Sequence, residues 1–187
     1  MKTLRCSALG ILCTLAMSLN ADAVSEYLVT PSTPAYTTFT SPSQNVINQQ
    51  IQGLFEPDLT LVYKQDVGAA SDSGQFASSY STTFFNTPSD PSDAKISFIS
   101  GPYLDADDIY LLVKDGNNNP SGYLFDISGW NGTDYIVLKN FWPAQGAISH
   151  VSLYARGVPD GGTTLMLLGI ALVGLGAARR LSQMQAG

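Results

Sequence analysis

Hydrophobic residues recur at every second position in three segments of the chain, residues 59–64, 109–114 and 123–128. Alternation of this kind predicts β-strands with one buried face. Four further strands are predicted at residues 75–85, 95–100, 134–140 and 147–155. Short strands in this number, with almost no helix between them, indicate an all-β fold built as an antiparallel β-sandwich. A jelly-roll and an immunoglobulin-like topology both fit the pattern.

The segments between the strands show helical spacing or turn chemistry instead. Residues 44–54 place apolar side chains three and four positions apart, which predicts one short helix. Residues 24–43 are rich in Ser, Thr and Pro, and we expect either an irregular arm or an edge strand near residues 26–30. Asp115-Gly116 and Asn131-Gly132 are typical of tight hairpins, since both pairs accept a positive φ, and residues 88–91 predict a loop.

The first 23 residues have the three parts of a secretory signal peptide. Lys2 and Arg5 supply a positive start, an apolar stretch follows over residues 6–19, and Ala21 and Ala23 supply the small residues of a cleavage site. We expect cleavage after Ala23. The partners implied are the secretion translocon and signal peptidase.

The last 30 residues contain a second set of signals. Val158, Pro159, Asp160, Gly161 and Gly162 form a short motif, which is followed by an apolar segment over about residues 161–178. Spanning a bilayer takes about 20 residues, with about 17 as the lower limit, so this segment predicts one marginal transmembrane helix. The basic pair Arg179 and Arg180 then marks the cytoplasmic end.

This order of motif, apolar helix and basic end resembles the C-terminal signal of PEP-CTERM proteins. Those are exported proteins of Gram-negative bacteria that an exosortase, a membrane protease or transpeptidase, processes in exopolysaccharide-producing cells. The usual motif is Val-Pro-Glu-Pro. Here Asp160 replaces the Glu and Gly161-Gly162 replaces the second Pro, which resembles a Val-Pro-Asp-Gly-Gly variant. The resemblance implies an exosortase as partner, transient anchoring in the inner membrane, and a final place at the cell surface or in the matrix.

The two signals divide the chain into three parts: the signal peptide (residues 1–23), an extracytoplasmic body (residues 24–157) and the sorting tail (residues 158–187). Up to residue 160 the exported part holds 14 Asp and Glu against 5 Lys and Arg, a formal charge of −9. This acidity argues against nucleic acid as a partner, because neutralising phosphates needs basic groups. Both cysteines lie in the signal peptide, which leaves the body without a disulfide or a thiolate nucleophile.

Candidate metal ligands are few. Asp115 opens an alternation of oxygen-bearing side chains, but Pro120 stands where the turn glycine of a calcium-binding EF-hand is needed. Asp105, Asp107 and Asp108 form a second acidic cluster. A hairpin tip explains the residues after Asp115 better than a cation site does, so all four are weak candidates. The sequence indicates no cofactor.

Trp130 and Trp142, with Tyr123 and Phe141 near them, are candidates for stacking on sugar rings, although packing in the core or anchoring of a loop is the more common role of large aromatic residues. His150 is the only histidine, and it lies in a predicted strand. The sequence contains no Gly-x-Ser-x-Gly motif that would supply a serine nucleophile. The leading interpretation is therefore a non-enzymatic exported surface or matrix protein associated with exopolysaccharide. The alternatives are a carbohydrate-binding module on the same scaffold and a secreted hydrolase.

Overall fold

The computed structural model of the protein describes residues 25–55, 59–86, 90–143, 146–158 and 170–173. Within these ranges the chain forms nine strands and one helix of 11 residues, together with a helical turn at residues 170–173. The elements are β1 (Glu26–Val29), β2 (Thr37–Phe39), α1 (Gln44–Leu54), β3 (Leu59–Asp66), β4 (Tyr80–Phe85), β5 (Asp93–Phe98), β6 (Ile109–Asp115), β7 (Gly122–Asp126), β8 (Tyr135–Leu138) and β9 (Ile148–Arg156).

The strands form two sheets. The four-stranded sheet has the order β1-β8-β5-β4, and the five-stranded sheet has the order β2-β7-β6-β9-β3. Every pairing is antiparallel except that of β1 with β8. The prediction of a mostly-β fold with antiparallel sheets is confirmed in this form. The choice between a jelly-roll and an immunoglobulin-like topology stays a prediction.

The parallel pair β1–β8 corrects the expectation of purely antiparallel sheets. Parallel neighbours need a connection of a dozen residues or more, and the long chain between β1 and β8 supplies it. Ser25 fixes the register at the start of the pair, because its backbone N–H and its hydroxyl both donate to the Asp134 carboxylate. The Tyr135 N–H in turn donates to the Ser25 carbonyl at 3.0 Å.

One hydrophobic cluster draws on both sheets. Ile96 and Ile136 come from the four-stranded sheet, and Leu111, Phe125 and Leu153 come from the five-stranded sheet, all of them buried. Alternate residues of a strand point to the same face, so the period-two pattern of the sequence marks the residues that fill this space. The sheets therefore pack against each other through their apolar faces.

Helix α1 covers part of the other face of the five-stranded sheet. Ile47 and Ile51, one helical turn apart, are buried against Leu112, Leu124 and Tyr154. The helix has the bounds that its spacing predicts. A five-stranded sheet thus has apolar contacts on both faces, which explains why every residue of β6 is buried.

Three local predictions are wrong. Residues 75–79 form turns instead of the first part of a strand, and β4 begins at Tyr80. Gly116 is not in the left-handed region, and the connection from β6 to β7 runs over residues 116–121 instead of a tight hairpin. Gly132 does have a positive φ of 80°, but its turn joins β7 to β8, which lie in different sheets.

Other strand predictions are shifted or incomplete. The ends of β5, β7, β8 and β9 lie within two residues of the predicted bounds. Strand β2 is an addition within the predicted irregular arm, where it pairs with β7. Part of the loop predicted at residues 88–91 lies outside the described residues, since the description resumes at residue 90.

Candidate functional site

The Asp115 carboxylate organises the loop between β6 and β7. One of its oxygens accepts the Asn117 N–H at 2.9 Å, and the other accepts the Asn118 side-chain amide at 2.5 Å and the Ala147 N–H at 3.2 Å. The residue is 5% exposed. Its oxygens therefore accept hydrogen bonds from N–H groups of the protein. The polar residues after Asp115 are explained by the structure of this loop, and Asp115 has a structural role in place of the predicted role as a metal ligand.

The acidic cluster at residues 105–108 does not converge on one point. The Asp108 carboxylate pairs with the Arg156 guanidinium at 3.0 Å, whereas Asp105 and Asp107 are exposed. Across the described parts of the chain, no three His, Cys, Asp or Glu side chains come together in a way that could hold a metal ion.

His150 lies buried on the five-stranded sheet, on the face that α1 partly covers. Its Nδ1 is 3.5 Å from the Asp66 carboxylate, while its Nε2 is buried without a hydrogen-bond partner. Burial lowers the pKa of His150 to about 4, and the positive charges of Lys64 and Lys114 act in the same direction. Burial likewise lowers the pKa of Lys114, whose ammonium group donates to the Asp115 carbonyl at 2.8 Å. The histidine is therefore neutral at pH 7.

Trp130 belongs to the core. It is 4% exposed, its indole N–H donates to the Asp134 carbonyl at 2.9 Å, and its ring lies 5.7 Å from that of Tyr80. A sugar ring needs an open aromatic face, and Trp130 offers none in this structure. As a candidate for sugar stacking Trp130 is therefore wrong.

Trp142 has the opposite character. It is half-buried, and its indole N–H donates to the Pro120 carbonyl at 2.9 Å. Its ring centroid lies 5.4 Å from that of Tyr123 and 5.7 Å from that of Phe141, which is fully buried. Trp142 is thus fixed by one hydrogen bond and two ring contacts while part of the indole remains accessible.

An open cleft of about 470 Å³ lies beside Trp142. Its walls come from the turn at residues 30–32, the end of the β6–β7 loop and the segment after β8. The lining residues are Thr30, Pro31, Ser32, Asn119, Pro120, Tyr123, Asn140, Trp142 and Pro143. None of them is Asp, Glu, Lys, Arg or His, so the cleft combines aromatic, proline, amide and hydroxyl surfaces without ionic groups.

The backbone of the segment after β8 is held in an uncommon conformation. Asn140 has a φ of 58° and Trp142 a φ of 47°, both in the left-handed region. The Asn140 N–H donates to the Asp93 carboxylate at 2.8 Å, and the Phe141 N–H donates to the Ser92 carbonyl at 2.9 Å. These bonds fasten the segment to the start of β5 and so determine where the Trp142 indole stands.

One of these two hydrogen bonds, the one from the Asn140 N–H, also acts on the ionisation of Asp93. Burial opposes its charge, but the Asn140 N–H, the hydrogen bond from Lys139 and the Lys139 charge outweigh that effect and lower the pKa of Asp93. A carboxylate thus accepts bonds from two consecutive residues of the segment, which keeps this wall of the cleft in place near neutral pH.

The aromatic residues of the sequence predicted Trp142 and Tyr123 as parts of a site, whereas Asn140 and Pro120 were not predicted to belong to one. The available signal was local: Asn140 is a residue type that tolerates a positive φ, and Pro143 follows Trp142 closely. What brings Pro120 and Trp142 together is the fold, since no spacing in the sequence relates them.

The residues with predicted sorting roles fall mostly outside the described residues. Of the motif only Val158 is described, and it packs partly buried against the core cluster. Outside the description lie Ala21 and Ala23, the remaining motif residues from Pro159 to Gly162, and Arg179 and Arg180. Of the predicted transmembrane segment, residues 170–173 are described. They are helical, with Ile170, Leu172 and Val173 exposed. Among the described helices, none is long and apolar enough to cross a bilayer.

Comparison with protein families identifies the tail. Residues 157–182 match the VPDSG-CTERM motif, a PEP-CTERM-like variant of exosortase-sorting signals. The chain has Gly161 where that name has Ser. The resemblance of the tail to this class of signal is thereby confirmed. No curated protein and no solved structure matches the chain.

Proposed function

We propose that the protein is exported, held briefly in the inner membrane by its tail, processed by an exosortase-type enzyme, and then placed at the cell surface or in the extracellular matrix. There it acts without catalysis, in association with exopolysaccharide. The observation that supports the proposal most strongly is the match of residues 157–182 to a sorting motif. The predicted signal peptide at residues 1–23 supports the same route, because a C-terminal sorting signal acts on an exported chain.

The junction between body and tail also supports the proposal. Strand β9 ends at Arg156, and the matched segment begins at the next residue. Gly157, directly after the last strand, has a φ of 68°, in the left-handed region that favours glycine. The nine strands found in the described residues all precede the motif, so an enzyme can cut within or after residues 158–162 without removing any of them.

The proposal of a non-catalytic body is supported by the surroundings of the single histidine. His150 is 4% exposed and uncharged near pH 7, which fits a structural role better than proton transfer to a bound substrate. Two of the four acidic residues named as candidate ligands have structural partners: Asp115 organises a loop and Asp108 pairs with Arg156.

The test is a comparison of two truncated or altered chains in a bacterial host that produces a matching exosortase. Deletion of residues 158–187 should leave the body folded and release it from the membrane fraction unprocessed. A matched variant, Arg179→Gln with Arg180→Gln, keeps the length and the motif but removes the basic end. It should be processed inefficiently, because the apolar segment loses its cytoplasmic stop.

Two results would contradict the proposal. If deletion of the tail unfolds residues 24–157, as judged by protease resistance and circular dichroism, the tail belongs to the core and is not a detachable signal. If the wild-type chain remains in the cytoplasm of this host, the export route is wrong.

A further inference from the structure

We propose that the cleft beside Trp142 binds neutral sugar units of a polysaccharide. Trp142 and Tyr123 provide the aromatic surface, and Asn119 and Asn140 provide amide groups for the sugar hydroxyls. This inference rests on the proposed function in one respect: the proposed association with exopolysaccharide is the source of the ligand. The binding itself is independent of sorting and is measured separately from it.

The dimensions and openness of the cleft suit a segment of a long polymer. Its volume of about 470 Å³ lies within the roughly 300–1,000 Å³ of typical ligand pockets. It is open to solvent and bounded by three separate stretches of chain. One unit of a polymer can enter such an open cleft while the rest of the chain stays in solvent, which an enclosed cavity would prevent.

The aromatic surface is held in place before any ligand arrives. The indole N–H of Trp142 is already bonded to the Pro120 carbonyl, and the rings of Trp142 and Tyr123 lie 5.4 Å apart at 49°. The π face of an aromatic ring is negative, so it attracts the weakly positive C–H bonds of a sugar ring. Because the indole is already oriented, binding costs little side-chain entropy.

Backbone strain at Trp142 is the second, independent observation. A bulky residue with a φ of 47° is uncommon, and such conformations cost about 1–3 kcal/mol and concentrate at ligand-binding sites. The neighbouring Phe141 is 0% exposed, whereas Trp142 packs only partly buried against the same core cluster. The strained backbone directs the Trp142 indole to the wall of the cleft.

The charge of the surroundings selects the class of ligand. The exported part of the chain has a formal charge of −9, from 14 acidic and 5 basic residues up to residue 160, and therefore repels polyanions. The cleft lining contains no carboxylate that would hold a cation. It does contain the amides of Asn119 and Asn140 and the hydroxyls of Thr30 and Ser32, which both donate and accept hydrogen bonds. Uncharged hydroxyl-rich rings match this combination.

The experiment uses the two tryptophans as separate reporters in the full-length protein. The chain has two Trp residues, so labelling with 5-fluorotryptophan gives two ¹⁹F NMR signals, which the variants Trp130→Phe and Trp142→Phe assign. The protein is kept in a zwitterionic, sugar-free detergent and titrated with dextran, a soluble β-1,3-glucan and galactomannan. Alginate serves as the anionic comparison. At least one neutral polysaccharide should shift the Trp142 signal saturably, while the buried Trp130 signal stays in place.

Variants test the assignment of the site. The affinities of the variants are measured by isothermal titration calorimetry, because Trp142→Ala removes the ¹⁹F signal that reports binding. Asn119→Ala should weaken the binding about three- to tenfold, and Trp142→Ala should abolish it, with the Trp130 signal reporting that the fold is intact. Tyr103→Ala is the matched control, because Tyr103 is an aromatic residue 48% exposed that does not line the cleft. It should bind as the wild type does.

Three outcomes would overturn the proposal. They are the absence of a Trp142 shift with all three neutral polysaccharides, a shift with alginate alone, and wild-type affinity in both Asn119→Ala and Trp142→Ala. If Trp142→Ala fails to fold, the wild-type titration and Asn119→Ala decide the question. Processing of the tail is not measured in this experiment, so its failure would leave the sorting proposal standing.

Discussion

The indole N–H of Trp142 donates to the carbonyl oxygen of Pro120 at 2.9 Å, which joins the segment after β8 to the loop between β6 and β7. The two residues belong to walls of the same cleft. Trp130 makes a bond of the same type and length, to Asp134, but inside the core. The two tryptophans of the chain can therefore be compared directly, since one lies at a surface cleft and the other in the interior.

Replacing each tryptophan by phenylalanine should separate these two roles. Trp142→Phe removes a hydrogen bond at a half-buried position that water reaches, so we expect a loss of under about 1 kcal/mol in the free energy of unfolding. Trp130→Phe removes a bond and part of a fully packed ring, so we expect a loss of about 2 kcal/mol or more. Urea unfolding measures both. An equal or reversed order would contradict the assignment of Trp130 to the core and Trp142 to the cleft.

The hydroxyl of Tyr80 connects two loops, at Leu104 and Gly132, across the core. It accepts the Leu104 N–H at 2.7 Å and donates to the Gly132 carbonyl at 2.8 Å, and Tyr80 is 1% exposed. Tyr80→Phe should leave both groups unpaired in the interior and destabilise the protein by about 1–3 kcal/mol. Tyr103→Phe, at an exposed tyrosine, is the control and should change the stability by less than about 0.5 kcal/mol. Similar values for the two variants would show that the Tyr80 bridge contributes little.

Gly132 and Gly68 differ in their surroundings although their backbones are alike. Their φ values are 80° and 76°, but a Cβ on Gly132 would lie 2.3 Å from the Leu104 carbonyl oxygen, whereas Gly68 has no atom within 4 Å of that position. Gly68→Ala should lower the free energy of unfolding by about 1–2 kcal/mol, because alanine is less stable than glycine in the left-handed conformation. Gly132→Ala should cost more than about 3 kcal/mol, because the backbone must also move. Thermal unfolding of both variants gives the comparison, and equal losses would mean that the turn at Gly132 relaxes freely.

Stability should fall as the pH drops from about 6.5 towards 4, in part because of His150. Its folded pKa of about 4 lies below the unfolded value of 6.5, so the folded state holds the neutral ring while the unfolded state takes up a proton. The stabilisation is complete above pH 6.5 and is lost as the pH approaches the folded pKa. Between pH 7.5 and pH 4.5 this loss should amount to roughly 2–3 kcal/mol.

The contribution of His150 is isolated by comparison with His150→Gln, which cannot titrate. Lys64 and Asp66 on β3 and Lys114 on β6 face the histidine and are present in both proteins. Carboxylates elsewhere also titrate in both proteins. The contribution of His150 is therefore the difference between the wild type and the variant in how the free energy of unfolding changes with pH. Urea unfolding at the two pH values should show a smaller loss for the variant. Parallel curves would mean that the histidine is accessible to protons in the folded protein.

Local patterns in the sequence identified the elements well where packing follows periodicity. Ile47 and Ile51 lie one helical turn apart, and the helix they predict has the observed bounds. The alternation through Ile109, Leu111 and Val113 marked one face of β6 correctly, because these side chains all join the shared core. Periodicity reports which side of an element is buried, and for these residues it was sufficient.

Periodicity does not report which strand is the neighbour. The parallel pairing of β1 with β8 depends on Ser25 meeting Asp134, and β2 depends on pairing with β7, contacts between residues far apart in the chain. The cleft depends on the fold in the same way. Composition makes Trp130 and Trp142 equivalent candidates, and only their burial and the positive φ of Trp142 distinguish a core residue from a surface one.

The central claim, that this chain is an exported substrate of an exosortase-type enzyme, is tested most directly by the intact mass of the protein recovered from a bacterial host with and without a matching exosortase. With the enzyme, the mass should correspond to the loss of residues 1–23 and of the segment from the motif at residues 158–162 onward. Without it, residues 1–23 alone should be missing, and the protein should remain in the membrane fraction. An intact tail in the presence of the enzyme would contradict the claim.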